Sequence, residues 1–457
     1  MALNESDIAH LLRRTETIAT PARIAELSAL SSIEAAVDSI LVKNTEGPIT
    51  KPQGITRDFY NFVQTDSWFY DHELRRWWVN EFAYGKQPLR EKMTLFWHGH
   101  FTSSSGSSPY FGHTLSQNNL YRTYAFGNLV DLAKKMSVEP TMLQYLNNAE
   151  NFKWKRNENF ARELMELFLL GLNHYGLISG QAAPYTQDDV VAASKAWTGH
   201  VLIWDPNLWP YYLYKPEYHD NSTITFLGKT GAFDGFAVID QILTVDPYKT
   251  IAARYIATKL WSFFAYPNPD AAMIASIVTS TNFANTMDIK SLLRAILVHP
   301  NFYSDAAKLG LVSTPTEFMA RVFNIMGVSL TSNENDGYIW SMEDMGQELL
   351  NPPNVAGWKQ NSYWLSTSMM GTRGKILSWL FYSSASTSKF VDLDSQTSDQ
   401  YITQAARRLG LVSLQSETKT NLVNWLNKER TRSGSNPQFR SAGVLHLLIM
   451  SPDFQLS

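Results

Sequence analysis

Apolar residues recur at helical spacing along most of this 457-residue chain, and this period limits its possible folds more than any other feature. Three examples are FGNLVDLAKKM near residue 132, YKTIAARYIATKLWSFF near residue 255 and KSLLRAILVHP near residue 295. Side chains three and four residues apart share one face of an α-helix, which a core can bury. Since 44% of the residues are hydrophobic and only 18% are charged, a packed core is expected. The sequence therefore predicts a mainly α-helical protein.

Local sequence signals predict both ends of one helix, and they also show where the helical pattern is interrupted. In YTQDDVVAASKAWTGH, Thr186 and Asp189 have the spacing of a helix N-cap and its reciprocal carboxylate, and Gly199 fits the C-terminal end. Residues 201–231 are different, because prolines interrupt aromatic and β-branched residues there. We predict a short irregular excursion with a β-hairpin in that segment.

The domain prediction is a single helical domain over residues 1–457. A subdivision into a core part at 1–327, which holds the motifs below, and a C-terminal helical part at 338–457 is the alternative. No stretch reaches the eighteen apolar residues of a membrane span, and the first residues, MALNESDIAHLLRR, predict a capped amphipathic helix without the apolar core of a signal peptide.

Composition excludes several functions. A net charge of −3 without a long Lys/Arg run argues against nucleic-acid binding. The absence of cysteine excludes disulfides, thiolate ligands and a cysteine nucleophile, so a metal would need histidine and carboxylate ligands. The segment FLGKTG lacks the first glycine of a phosphate-binding loop, and no nucleotide cofactor is expected.

The segment FWHGHF contains the first candidate site, His98 and His100. If the helix that starts near Pro88 continues through Trp97, the two histidines point in different directions and His100 lies on the buried side. If the helix instead ends at Trp97, Gly99 allows an extended turn in which both imidazoles face one metal ion. The serine-rich loop at 102–109 would then be a candidate lid. The alternative is a core His100 beside a solvent-facing His98.

The segment NENFARELMELFLLG contains the second candidate. Its polar residues gather on one stripe of an otherwise apolar helix. The stripe consists of Asn159, Arg162, Glu163 and Glu166. If it is buried, its charges must be paired or must bind a cation. If it faces water, a Glu158–Arg162 pair explains it equally well.

The third candidate lies in the irregular excursion. In KPEYHDN, Glu217, His219 and Asp220 are close in sequence, and a histidine beside a carboxylate can act as a base or as a metal ligand. The alternative is a turn in which Asp220 and Asn221 cap their own backbone.

Six segments in this order resemble the bacterial domain of unknown function 1800 family. They are LREKMTLFWHGHF, NENFARELMELFLLG, YTQDDVVAASKAWTG, HDNSTITFLG, STPTEFMARVF and MGQELLNPPNVAGW. The resemblance covers nearly the whole chain, from IAHLLRR to the helix ending in SPDF. It implies a periplasmic or secreted protein whose gene often lies beside that of a sulfatase- or phosphatase-like protein. It carries over, position by position, to His98, His100, Asn159, Arg162, Glu163, Glu166, His219 and Asp220.

Two functional hypotheses follow. The first is a metal-dependent enzyme, more readily a hydrolase than an oxidoreductase, that uses zinc, iron, copper or manganese. Its proposed metal ligands are His98, His100, Glu163 and Glu166. Its proposed catalytic residues are His219 as base, Asp220 as its orienting carboxylate and Arg162 as the partner of an anionic substrate group, with Asn159 and Trp97 as substrate contacts. The second hypothesis is a non-catalytic protein that binds a glycan or an exported sulfatase- or phosphatase-like partner through its aromatic excursion.

Overall fold

A computed structural model of the chain describes residues 4–50, 67–108, 110–173, 183–205, 208–331, 335–382 and 388–456. The described residues form a mainly α-helical fold, which confirms the fold class predicted from the apolar period. The helices before the β excursion are α1 (Glu5–Thr15), α2 (Pro21–Ser28), α3 (Ile33–Thr45), α4 (Ser67–Tyr84), α5 (Pro88–His100), α6 (Phe111–Thr123), α7 (Leu129–Ser137), α8 (Pro140–Tyr145), α9 (Asn159–Glu163), which continues into a π-helix (Leu164–Leu169), and α10 (Gln187–Ala196).

Further helices follow the excursion. They are α11 (Gly235–Thr244), α12 (Tyr248–Phe264), α13 (Ala271–Ser280), α14 (Phe283–Thr286), α15 (Ile289–Val298), α16 (Asp305–Lys308), α17 (Pro315–Met326), α18 (Asp336–Asp344), α19 (Thr367–Tyr382), α20 (Ser398–Arg408), α21 (Ser416–Thr431), α22 (Pro437–Met450) and α23 (Pro452–Gln455). Among the helices described, none has both the length and the apolar character that crossing a membrane requires.

The predicted β excursion is confirmed, although it holds two antiparallel pairs rather than one hairpin. Strand β1 (His200–Asp205) pairs with β2 (Leu208–Tyr214), and β3 (Ile224–Phe226) pairs with β4 (Lys229–Gly231). His200 lies opposite Tyr214 in the first pair, and Ile224 lies opposite Gly231 in the second. The residues that connect β1 to β2 lie outside the described part of the chain.

The predicted helix boundaries at two motifs are also confirmed. The Thr186 side chain accepts a hydrogen bond from the Asp189 backbone, and the Asp189 carboxylate accepts one from the Thr186 backbone, so the capping box is complete. Gly199 has a φ of 84°, which places it in the left-handed region just beyond that helix. Pro88 occupies the first turn of α5, as its position in the sequence indicated.

Helix α5 lies between two hydrophobic cores. Its Met93 and Trp97 belong to a first core that α1–α3, α7, α11, α12 and α15 also build, and its Leu95 belongs to a second core. The second core combines α4 and α17 with the C-terminal helices α18–α22. Side chains on opposite faces of α5 therefore have different surroundings. The subdivision at 1–327 and 338–457 stays a prediction.

Candidate functional site

The His-Gly-His segment is the last turn of α5 and not an extended turn. The helix continues to His100, and the Phe101 amide donates a hydrogen bond of 2.8 Å to the Trp97 carbonyl. Residues two apart on a helix project about 200° from each other, and the two imidazoles accordingly contact different neighbours. The arrangement in which a break at Trp97 lets both histidines face one ion is therefore wrong.

His98 is buried among aromatic rings. Its imidazole lies with ring centroids 6.0 Å from Trp78, 6.1 Å from Tyr121 and 5.3 Å from Trp358. Burial lowers the pKa of His98 to about 3, so the ring is neutral at physiological pH. Its Nε2 has no hydrogen-bond partner among the described residues. The predicted solvent-facing His98 is thus also wrong, because aromatic side chains of both cores cover it.

His100 is oriented by the π-helix. A carbonyl can only accept, so the 2.8 Å contact between His100 Nε2 and the Phe168 carbonyl places the ring proton on Nε2. Carbonyls of the π-helix accept hydrogen bonds from side chains of other helices. The neighbouring Leu167 carbonyl, for example, accepts one of 2.7 Å from the Tyr255 hydroxyl. Burial, and then the charge of Lys259, hold the pKa of His100 well below its usual range. The ring is therefore neutral, and its Nδ1 is a hydrogen-bond acceptor.

Lys259 of α12 faces that acceptor. Its Nζ lies 3.4 Å from His100 Nδ1 and 5.2 Å from the centroid of the Tyr255 ring. Burial lowers the pKa of Lys259 to about 8. Among the described residues no carboxylate forms an ion pair with this amine, so no counter-charge offsets the cost of removing its charge from water.

Lys259 and His100 line a cavity of about 300 Å³ between α5 and α12. Phe96, Phe263 and Trp358 contribute aromatic walls. Further polar side chains in the lining include Thr314, Gln347 and Asn361. A mostly apolar cleft with a few converging polar groups is the usual form of a small-molecule site.

Two signature segments form one wall of this cavity by packing on each other. Gly357, in PPNVAGW, has a φ of 80°, and a Cβ built there would lie 2.3 Å from the Gly99 carbonyl oxygen. A Cβ on Gly99 would lie 3.6 Å from the Trp358 ring, which is an ordinary contact. The close approach therefore requires glycine at 357, and it places Trp358 against the end of α5.

The serine-rich loop after α5 is held by the same segment. The Ser105 amide donates a hydrogen bond of 2.8 Å to the Leu350 carbonyl, and the Ser104 hydroxyl bonds to Asn351. The Ser103 hydroxyl contacts Gln117 Oε1 at 2.5 Å. Ser103, Ser104 and Ser105 are buried. The loop proposed as a lid is, over its described residues, a packed connection; residue 109 lies outside them.

The predicted stripe on α9 and the π-helix is partly exposed. The Arg162 guanidinium pairs with Glu158 at 3.1 Å and contacts Gln187 Oε1 at 3.1 Å, which is the i, i+4 pair offered as the alternative. Partial burial, and then the Glu166 carboxylate, raise the pKa of Glu163. Asn159 is exposed. His100 contacts the same π-helix at Phe168, through that residue's carbonyl at 2.8 Å and its ring at a centroid distance of 6.3 Å.

His219 and Asp220 are held by their own turn. His219 Nδ1 lies 3.0 Å from the Thr198 carbonyl, and the Asp220 amide donates a hydrogen bond of 2.8 Å to the Thr198 hydroxyl. The Asp220 carboxylate accepts a hydrogen bond of 3.0 Å from the Ser222 amide and pairs with Arg156 at 3.5 Å. The Asp220 part of the self-capping turn named as the alternative is therefore present, and the described contacts of His219 and Asp220 do not include His100.

Trp97 is fully buried and donates a hydrogen bond of 3.2 Å to the Ala125 carbonyl. It belongs to the first core and does not line the cavity beside His100. Across the described part of the chain, no three histidine, aspartate or glutamate side chains lie close enough together to hold a metal ion. The four proposed metal ligands therefore do not form a cluster there.

Sequence reasoning missed Lys259, whose amine is the cation among the described residues that line the cavity beside His100. A weak signal was present, since Lys259 follows Ile251 and Tyr255 at intervals of eight and four residues on an amphipathic helix. A lysine on an apolar stripe is more often a residue whose stem packs and whose amine reaches water. Only the position of α5 shows that this lysine is partly buried beside His100.

A family model matches nearly all of the chain, and it agrees with the resemblance seen in the six segments. No curated protein and no solved structure is significantly similar to the chain. The signature segments, which form the end of α5, the π-helix and the Gly357 joint, lie inside the matched range. Because that range covers residues 10–456, the chain belongs to the family described as "Protein of unknown function (DUF1800)".

Proposed function

We propose that this protein binds a small organic anion in the cleft between α5 and α12, with Lys259 as the charged partner of the ligand. One observation carries the proposal: the amine of a partly buried lysine, which has no carboxylate partner among the described residues, faces a cavity of about 300 Å³. His100 and three aromatic side chains lie around that amine and would help to hold a ligand.

Charge provides the driving force for such binding. An ammonium group removed from water without a counter-ion is unfavourable, and a ligand carboxylate, sulfate or phosphate would supply the missing charge. His100 holds the amine in place, because Nδ1 is its only ring acceptor and the Phe168 carbonyl fixes the other nitrogen. The ligand would therefore meet an oriented cation, which reduces the entropy lost on binding.

The walls limit the size and character of the ligand. Phe96, Phe263 and Trp358 favour an apolar or ring-shaped body beside the anionic group. Ligand clefts commonly hold about 300–1,000 Å³, so this cleft is at the small end of that range. A single-ring organic acid fits these limits best.

Calorimetric titration of the purified chain with benzoate, phenyl sulfate and phenyl phosphate tests the proposal, with neutral benzamide as the matched control. We expect saturable binding of at least one of these anions and much weaker binding of benzamide. Lys259→Met should weaken anion binding at least tenfold. Lys249→Met on the same helix should not, because that amine already pairs with Asp246 at 3.1 Å.

Three results would contradict the proposal. The first is equal binding of benzoate and benzamide, and the second is anion binding that Lys259→Met leaves unchanged. The third is the absence of saturable binding by all three anions.

The two hypotheses made from the sequence stay predictions. Elemental analysis of protein purified without added metal tests the metal-dependent hydrolase or oxidoreductase, and Glu163→Ala asks whether that carboxylate holds an ion. A pull-down with a sulfatase- or phosphatase-like protein, or a glycan array, tests the binding alternative.

A further inference from the structure

A second cavity, of about 250 Å³, lies where α1, α17 and α20 meet. Four basic side chains line it, and its lining among the described residues includes no acidic side chain. Arg13 and Arg321 form its inner part. Lys389 and Arg408 are exposed at its entrance, where the Arg408 guanidinium already pairs with the Asp392 carboxylate. The inner part of the cavity is therefore basic, and the entrance is basic through Lys389.

The two inner arginines differ in how well their hydrogen bonds are satisfied. Arg321 donates to the Ser313 hydroxyl at 3.0 Å and to the Phe454 carbonyl at 2.7 Å, and its guanidinium lies 3.9 Å from the Phe454 ring centroid. Arg13 makes one long hydrogen bond of 3.4 Å to the Gly410 carbonyl. Its Nε is buried and has no partner among the described residues. Arg13 thus has donor capacity that the surrounding protein does not use.

Basic groups also outnumber acidic groups in the buried region behind the cavity. Five cations interact there, namely Arg13, Arg14, Lys92, Arg321 and Arg373. The carboxylates that act on them are Glu317 and Asp453. Positive charge therefore remains in excess near the inner wall of the cavity.

The pKa values agree with this excess. Burial lowers the pKa of Arg13 to about 10. Burial, and then the neighbouring Arg13, lower the pKa of Arg321 to about 9. Both guanidinium groups still carry their charge at neutral pH, and each gains from an added anion.

We infer that this cavity binds a tetrahedral oxyanion, either the free ion or the phosphate or sulfate group of a small molecule, between Arg13 and Arg321. The planar fork of a guanidinium donates two parallel hydrogen bonds to such an oxyanion, which suits the unused donors of Arg13. Lys389 and Arg408 would attract the anion to the entrance. The site is separate from the Lys259 cleft, since the two cavities share no lining residue.

Thermal unfolding and calorimetric titration with inorganic phosphate and with sulfate test this inference, with chloride at matched ionic strength as the reference. We expect a saturable rise in melting temperature with at least one oxyanion and none with chloride. Arg13→Gln should weaken oxyanion binding at least tenfold. Arg407→Gln should change it less than twofold, because Arg407 lies on the outer side of α20 and pairs with Glu5 at 3.1 Å.

If Arg13→Gln does not fold, the double variant Lys389→Gln, Arg408→Gln replaces it, with at least a threefold loss expected. Binding that these variants leave intact, or no saturable effect of either oxyanion, would overturn the inference. Phosphate binding that strengthens between pH 6 and pH 8 would identify the dianion as the ligand, whereas equal binding of sulfate would identify any tetrahedral dianion. Lys259→Met should leave this binding unchanged, so the outcome is independent of the organic-anion cleft.

Discussion

At the scale of single residues, the Lys259–His100 pair shows how a backbone carbonyl determines which nitrogen of a histidine carries the proton. The Phe168 carbonyl selects the tautomer of His100, and that tautomer presents Nδ1 to the Lys259 amine at 3.4 Å. His100 is buried and Lys259 is partly buried, and removal from water disfavours the charged form of each. The charge on Lys259 therefore lowers the stability of the ligand-free protein. A bound anion would offset this cost.

The stability of the ligand-free protein should depend on pH through Lys259. Since burial lowers the pKa of this amine from 10.5 to about 8, the unfolded chain binds more protons than the folded one between those values. The free energy of unfolding should consequently rise with pH across this window, by about 1–3 kcal/mol from this group. Denaturant unfolding of the wild type and of Lys259→Met at pH 7.5 and pH 10 measures the effect.

The comparison of the two proteins isolates the lysine, because every other titrating group is common to both. Lys259→Met should gain most over the wild type at pH 7.5 and lose that advantage at pH 10. An advantage of the same size at both pH values would show that Lys259 is not a buried cation. Binding of an organic anion should follow the opposite trend and weaken about tenfold from pH 7 to pH 9, as the amine loses its proton.

At the scale of elements, the joint between the end of α5 and the segment 350–358 organises the cleft. It contains a backbone contact at Gly99 and Gly357, an aromatic contact from Trp358 and the hydrogen bonds that hold the serine-rich loop. The conspicuous glycine of His-Gly-His is thus a helical residue at which a side chain would meet only an ordinary contact. The conformational requirement lies at Gly357, some 250 residues away in the sequence.

The two glycines should respond differently to alanine. Gly357→Ala introduces a residue at a φ of 80° and a Cβ 2.3 Å from a backbone oxygen, so we expect a loss of about 2–4 kcal/mol. Gly99→Ala meets only a normal contact at 3.6 Å and gains helix propensity, so the expected change is between zero and a stabilisation of about 1 kcal/mol. Urea unfolding of both variants gives these values. A large loss at Gly99 with none at Gly357 would contradict the joint as described.

The helices were predictable, but their partners were not. The period of apolar residues and the signals at Thr186 and Pro88 are local, and the structure confirms them. The contacts of His100 with Phe168 and Lys259 join segments 68 and 159 residues apart, and a helical period does not state which helix a face meets. The π-helix adds to the difficulty, because its wider turns shift the register of NENFARELMELFLLG relative to the stripe drawn for an α-helix.

At the scale of the whole molecule, buried charges connect the two cores. Lys92 of α5 pairs with Glu317 of α17 at 2.6 Å, and both side chains are almost inaccessible to solvent. Arg14, Arg321 and Arg373 also act on the Glu317 carboxylate. The Lys92 amine holds the pKa of Glu317 low, with help from the Thr314 backbone, even though burial opposes this. The single Glu317 carboxylate therefore neutralises several cations, whereas each of these cations is only one of several that interact with Glu317.

This asymmetry predicts unequal effects at the two ends of the Lys92–Glu317 pair. Lys92→Met leaves Glu317 with other cations nearby, and its Glu317 carboxylate still caps α17 by accepting from the Thr314 amide at 2.9 Å, so we expect a loss of about 1–2 kcal/mol. Glu317→Gln removes the common counter-charge of four buried cations, and a loss of about 3–5 kcal/mol follows. Urea unfolding at pH 7 measures both. Equal losses would reduce the network to a simple ion pair, whereas a larger loss for Lys92→Met would show that the excess positive charge is neutralised elsewhere. If Lys92→Met caused the larger loss, the oxyanion cavity would also lose its electrostatic basis.

Added phosphate should also partly restore the stability of Glu317→Gln, because an anion at Arg13 and Arg321 replaces some of the missing charge.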